Sequence, residues 1–494
     1  MGQGVVTVST LRRSALLFAA IALVLPLVSA PATAAPPGVP RLGLRAASAS
    51  VEVYRYGREP ASLELLGVSL VAREAPFELR VRRETYDDPV RVYQAIHGPG
   101  AVHLTELPAG ILEGWFGLDR FLVFELFDRG GVLIRRKATD ACLAGYQVER
   151  VDDSGPFDPT YPQGCGSNPL TLGAVWGVDQ GWAVAPLLSN AGIRVPDGRY
   201  VAKVSIARRY RDLFGIALED AAVQIAVRIR SGSGCEFCGR PAAPEDSPAR
   251  RTLTPASITS DPPPSTLPDL VALPAYAIVT SHERRRDYLQ FAADVWDRGP
   301  ASLVVEGFRA VGEDRMDAYQ YFLEDGVVVG RAPVGSFHFD HRDGHQHWHF
   351  LQFARYRLLD SDQVAIRSRK QSFCLAPTDA IDLTADGAIW QPGRLGFSQC
   401  GSANSIWIRE VLPAGWGDTY YQWVPGQSFN ITNVPNGSYW IEVRANPGGM
   451  LFDGDPSNDT ELREVILGGV PGARTVSVPP WHGIDTEIWF GFDG

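Results

Sequence analysis

Along most of this chain, apolar and polar residues alternate in short runs separated by turn residues. Phe77-Glu-Leu-Arg-Val-Arg, Tyr200-Val-Ala-Lys-Val-Ser-Ile, Leu289-Gln-Phe-Ala-Ala-Asp-Val and Tyr439-Trp-Ile-Glu-Val-Arg are examples. A period of two sends alternate side chains to opposite faces of an extended strand. Such runs, bounded by turns, predict antiparallel strands packed as a sandwich. Long amphipathic helices are scarce. The pattern therefore predicts an all-β protein: two tandem antiparallel β-sandwich-like domains with few short helices.

The number two comes from a linker and a repeat. Residues 240–268 run through Pro-Ala-Ala-Pro-Glu-Asp-Ser-Pro and Asp-Pro-Pro-Pro-Ser, a polar, extended composition that packs no core. On either side the sequences correspond. Phe121-Leu-Val-Phe-Glu-Leu-Phe-Asp leads to Ala141-Cys142-Leu143-Ala144, and Phe353-Ala-Arg-Tyr-Arg-Leu-Leu-Asp leads to Phe373-Cys374-Leu375-Ala376, without a gap. Cys165-Gly-Ser-Asn matches Cys400-Gly-Ser-Ala-Asn, and Pro196-Asp-Gly-Arg-Tyr200 matches Pro435-Asn-Gly-Ser-Tyr439. These ordered matches predict two copies of one domain, over 48–240 and 267–494, joined by a linker over 241–266.

Composition narrows the class. Hydrophobic residues make up 45% and charged residues 21%, which excludes a disordered chain. The net charge of −10 argues against a nucleic-acid surface and mildly favours cationic partners, or simply aids solubility. Residues 1–35 read as an export signal: Arg12 and Arg13, an apolar stretch from Ala15 to Pro26, then Ala32-Thr33-Ala34 as a small-residue cleavage site. The apolar run is short and interrupted by Pro26, so an uncleaved anchor fits less well, and no later segment is long enough to span a membrane. The expectation is a secreted protein. Six cysteines suit that compartment, and we pair Cys142 with Cys165, Cys374 with Cys400 and Cys235 with Cys238. Cys235-Glu-Phe-Cys238 could instead be redox-active or half of a zinc site, but no second C-x-x-C accompanies it.

The candidate chemistry sits at His341-Arg342-Asp343-Gly344-His345-Gln346-His347-Trp348-His349. Four of the nine histidines fall here. His345, His347 and His349 alternate, so an extended strand would set three imidazoles on one face. Imidazole suits copper, zinc, iron or nickel. From His345 to His349 an ideal strand spans about 13 Å, so convergence on one ion requires the strand to twist or curve. Asp340, Asp343 and Gln346 could orient the rings, or be ordinary surface residues. The first copy is an internal control. At the same offset it carries Glu113, Trp115 and Gly117 in place of the histidines, and Ala138 in place of Lys370. A scaffold that does without the histidines argues that they form a site.

Residues 345–360, His-Gln-His-Trp-His-Phe-Leu-Gln-Phe-Ala-Arg-Tyr-Arg-Leu-Leu-Asp, closely resemble the copper-binding segment of the lysyl oxidase family. Leu267-Pro-Asp-Leu-Val-Ala272, Lys370-Gln-Ser-Phe-Cys-Leu375, Gly415-Trp-Gly-Asp-Thr-Tyr420 and Pro456-Ser-Asn-Asp-Thr460 resemble further family segments, in order. The resemblance covers roughly 267–470. It implies copper(II) held by His345, His347 and His349. It also implies a lysine tyrosylquinone cofactor made from Lys370 and Tyr420. The implied activity is oxidation of primary amines or peptidyl lysine by dioxygen, giving an aldehyde, ammonia and hydrogen peroxide. Asp418, two residues before Tyr420, is the candidate base, or else a turn residue. The chain also departs from the animal enzymes. Trp416, Gly426, Ala380 and Gly344 stand at their cysteine positions, and Arg342 and Arg355 at positions of extra histidines. Cys400 then lacks its family partner, and we pair it with Cys374, as Cys142 and Cys165 of the first copy suggest. The competing expectation is a non-catalytic extracellular module, metal-binding or adhesive.

Overall fold

The computed structural model describes residues 39–487 apart from 57–58, 167, 233–257, 311, 342–346, 370–371 and 396–399. Residues 1–35, expected to be an export signal, most of the expected linker, Cys235 and Cys238 lie outside the described residues. Strands dominate, and Arg208–Phe214 is the one α-helix among the described residues. No helix among them is long and apolar enough to cross a membrane. The chain is all-β. Its named strand pairs are antiparallel except one, where Ser50–Tyr56 runs parallel to Ala222–Gly232.

The first half holds two four-stranded sheets, a six-stranded sheet and a small two-stranded one, around a core that includes Phe77, Leu79, Phe121 and Trp176. The second half holds two six-stranded sheets and a five-stranded sheet, around a core that includes Phe291, Phe337, Trp348, Phe350 and Tyr356. Period-two burial is plain in Arg315–Glu324, where Met316, Ala318, Gln320 and Phe322 are buried. Gln320 keeps its inward place because Nε2 donates to the Phe452 carbonyl at 2.9 Å and Oε1 accepts the Phe452 N–H at 2.8 Å.

The two halves pair their strands alike. Phe124 lies opposite Lys137, and Tyr356 opposite Arg369, in hairpins with the same bulge, between Leu126 and Phe127 in one and between Leu358 and Leu359 in the other. Val201 then lies opposite Phe127, as Trp440 lies opposite Leu359. Tyr200 donates to the Pro196 carbonyl at 2.8 Å, and Tyr439 to the Pro435 carbonyl at 2.9 Å. The sulfurs of Cys142 and Cys165 lie at bonding distance, as do those of Cys374 and Cys400, with Cα atoms 6.1 and 5.6 Å apart. Where the second half carries His347, the first half buries Trp115 under the Arg83 guanidinium.

One strand joins the halves. Arg286–Asp297 is almost wholly buried because it has two apolar neighbours. Leu289, Phe291, Ala293 and Val295 face the second-half core. Ala292 and Trp296 pack with Tyr276, Ile381 and, from the first half, Leu170, Leu172 and Tyr86. Backbone bonds cross as well: Leu172 N–H donates to the Ile381 carbonyl at 2.7 Å and Leu383 N–H to the Gly173 carbonyl at 2.9 Å. A Cβ on Gly173 would sit 2.1 Å from an Asp382 carboxylate oxygen, so only glycine permits this approach.

Candidate functional site

His349 lies in the strand Trp348–Leu351, between Val327–Phe339 and Ser372–Phe373 in its sheet. Trp348 is held from outside the sheet, its backbone N–H donating to the Cys400 carbonyl at 2.8 Å and its indole N–H to the Ser402 carbonyl at 2.9 Å. That anchoring fixes the flanking histidines. His349 is buried and His347, just before the strand, is half-buried. Their Nε2 atoms face each other at 2.9 Å, with the rings nearly perpendicular. Asp340 brings a carboxylate oxygen to 3.8 Å from His349 Nδ1, and its backbone N–H donates to the His347 carbonyl at 3.0 Å. His338 sits directly opposite His349 in the neighbouring strand but is exposed, and exposed His341 packs its ring on Phe339. His345, Asp343 and Gln346 lie outside the described residues.

The His347–His349 spacing tests a metal. Two ligands on bonds of about 2.0–2.1 Å, set at a right angle, stand about 2.9 Å apart, and at a tetrahedral angle about 3.3 Å apart. The observed 2.9 Å is the separation of neighbouring ligands at a right angle, which octahedral and tetragonal shells share, so it suits several of the metals that imidazole binds, copper among them. Without a metal the same distance serves an N–H···N hydrogen bond. The donor pair therefore fits a copper ion, which would take the place of that proton.

Tyr420 ends the strand Trp416–Tyr420, which lies between Arg286–Asp297 and Asp379–Ala380. Its hydroxyl donates to the Cys374 carbonyl and accepts the Cys374 N–H, both at 3.0 Å, and its ring meets Phe373 edge-on. Phe373 in turn pairs with Phe350 beside His349. The histidine strand and Tyr420 are thus two steps apart in one hydrogen-bonded network. Lys370 lies outside the described residues, two positions before Ser372. Alternation puts Asp418 on the Tyr420 face of its strand, and Asp418 is buried. Burial, then the charges of Asp418 and Glu410, push the Tyr420 phenol well above the ordinary tyrosine range, so it is neutral at pH 7.

Sequence reasoning missed Glu410. It is fully buried and accepts the Leu375 N–H at 3.0 Å. Its carboxylate lies within 4.8 Å of the Cys374 and Cys400 sulfurs. While those sulfurs are joined, neither is a thiolate, so they offer no metal donors. Burial raises the Glu410 carboxyl well above its usual range, with Asp418 adding to the shift. The sequence did carry a signal: in Trp407–Leu412, Glu410 falls in phase with the apolar Ile408 and Leu412.

Several other buried carboxyls are raised, which sets the pH dependence of stability. Burial raises Asp294 and Asp379, and burial with the neighbouring Asp453 pushes Asp459 up to about 8. A carboxyl whose pKa is higher in the fold than in the open chain contributes stability that is complete below the open-chain pKa. That contribution is lost as pH rises through the folded pKa. The window runs from about pH 4 to pH 8. The melting temperature at pH 8 is expected to fall a few degrees below that at pH 5, measured by scanning calorimetry in one buffer series. An equal or higher value at pH 8 would contradict these shifts.

No protein-family model matches this chain, and no curated protein matches it either.

Proposed function

We propose that the second half is a copper-dependent amine oxidase of the lysyl oxidase type, carried by an exported protein. One observation carries the reading. His347 and His349 face each other at 2.9 Å, and the His349 strand is bonded to the segment whose Cys374 backbone grips the Tyr420 hydroxyl. The substrates would be a primary amine or the lysine side chain of a protein, with dioxygen as oxidant. Copper(II) and a lysine tyrosylquinone built from Lys370 and Tyr420 would supply the oxidising power. The chain's own residues do the rest. His347 and His349, with His345 as the third, hold the metal. Cys374 fixes the phenol. Asp418, buried on the Tyr420 face, is the group to accept a proton from the substrate carbon. The net charge of −10 suits a cationic amine, and the two disulfides suit an oxidising compartment.

The competing reading is a non-catalytic module. It is favoured by the Tyr420 hydroxyl itself, which already donates and accepts one hydrogen bond as a structural tyrosine would. Loading the metal-free full chain with copper in air distinguishes the two. The oxidase reading expects a visible quinone absorbance and peroxide release with a panel of primary amines. Copper binding without absorbance or peroxide would leave the module. For the metal, His349→Ala is expected to weaken copper binding by more than about 100-fold, since losing only a hydrogen bond that supports a ligand costs roughly 10–100-fold. His338→Ala should change it by less than about tenfold. Competition against a chromophoric chelator measures both, and equal losses would remove His349 from the ligand set.

A further inference from the structure

The first half lacks the histidines, yet it reaches the strand that bears Tyr420. On the far face of Trp416–Tyr420 from Asp418 and Tyr420 lie Gly417 and Thr419, and both meet Asp294. A Cβ on Gly417 would stand 2.2 Å from an Asp294 carboxylate oxygen. Thr419 Oγ1 donates to Asp294 Oδ2 at 2.9 Å, and Asn168 of the first half donates to the same oxygen through Nδ2 at 3.1 Å. Tyr276 completes the cluster, its hydroxyl 3.4 Å from both Asn168 Nδ2 and Thr419 Oγ1. Asn168 and Asp294 are both almost fully buried, and Asp294 Oδ1 has no hydrogen-bond partner among the described residues. Each donor to Oδ2 therefore matters, because a buried carboxyl that loses one gains no water in its place.

The loop that presents Asn168 is built for this. Asn168 Oδ1 accepts the Leu170 N–H at 2.9 Å, and its carbonyl accepts the Thr171 hydroxyl at 2.8 Å. Arg83, itself buried, donates to the Pro169 and Thr171 carbonyls at 2.9 and 3.0 Å. The same loop continues into the backbone bonds to Ile381, next to Asp379–Ala380, which pairs with Gly417 and Trp416. The first half thus touches the Tyr420 strand through Asp294 and touches its neighbouring strand through the backbone.

We infer that Asn168 is a positioning residue: through Asp294 and Thr419, the first half holds the strand carrying Asp418 and Tyr420 in place against the Phe373–Cys374 segment that links it to the histidine strand. The second copy is then not a self-sufficient domain with a vestige attached. This deepens the oxidase reading, and rests on it only for the catalytic readout.

The test uses the full chain. Asn168→Ala and the near-isosteric Thr419→Val each remove one donor from Asp294. Val92→Ala, a core change elsewhere in the first half, serves as a control for general loss of stability. Backbone amide exchange is followed in the metal-free protein, and chromophore formation after copper loading. Both cluster variants are expected to speed exchange at residues 417–420 by about tenfold or more, and the control is not. Both should slow chromophore formation while leaving the KM for amine unchanged. Asn168→Asp gives a rescue that a merely structural role would not show. Its carboxyl can donate to Asp294 only while protonated, so its exchange at 417–420, taken relative to the parent chain, should be slower at pH 5 than at pH 8. Exchange at 417–420 that is unchanged in the cluster variants, or raised equally by Val92→Ala, overturns the proposal. A parent chain that forms no chromophore overturns the oxidase reading alone, and the exchange comparison still decides the role of Asn168.

Discussion

Tyr420→Phe is expected to abolish the visible absorbance and to lower amine-dependent peroxide release by about 10³-fold or more, the scale of losing a group that acts covalently. Phenylalanine keeps the ring, its edge-on contact with Phe373 and the strand packing, and removes one oxygen. Copper affinity should stay within a few-fold, because the metal reading rests on the histidines. Stability should fall by roughly 1–3 kcal/mol, because the Cys374 N–H and carbonyl lose the hydroxyl that now serves both. Copper titration, the absorbance spectrum and urea unfolding check the three parts separately. Undiminished peroxide release in Tyr420→Phe would end the quinone assignment, however tightly the chain bound copper.

Replacing Cys374 and Cys400 together by serine is expected to lower stability by roughly 3 kcal/mol, the loop-closure scale for a bridge of this length. The sequence separation is 26 residues, against 23 for Cys142 and Cys165, so the first-half double variant should lose about as much. Function should separate them. Cys374 holds the Tyr420 hydroxyl, and the Cys400 carbonyl accepts the Trp348 N–H beside the two histidines. The second-half bridge therefore ties the two parts of the candidate site together, and the first-half bridge ties no such pair. Chromophore formation should slow most in the Cys374→Ser, Cys400→Ser chain, and less in the first-half variant, whose Cys165 lies three residues before Asn168. Equal slowing in both variants would reduce the bridge to general stability.

Much of the fold was legible because strands announce themselves by period. Arg315–Glu324 reads cleanly as inward and outward positions, and the hairpins aligned at one constant offset pair in matching register. The reading weakened where a strand is buried on both faces. In Leu289–Val295 the polar phase holds Gln290, Ala292 and Asp294, and nothing local says that this phase packs against the other half. Glu410 and Asp294 went unread for the same reason. A single carboxylate in an apolar phase looks like an irregularity until its neighbours are known. Asn168 was legible only as part of a repeated Cys-Gly-Ser motif.

By itself, then, the sequence determined the strand content, the repeat, the two cysteine pairs and the histidine cluster, because each is a matter of local spacing or composition. The tertiary structure decided what those pieces do together. It turned His347 and His349 to face each other and set Tyr420 on the Cys374 backbone. It also brought Asn168 from one half to a carboxylate of the other. The last two contacts join residues 46 and 126 positions apart, and no periodicity along a chain encodes which faces of two sheets will meet.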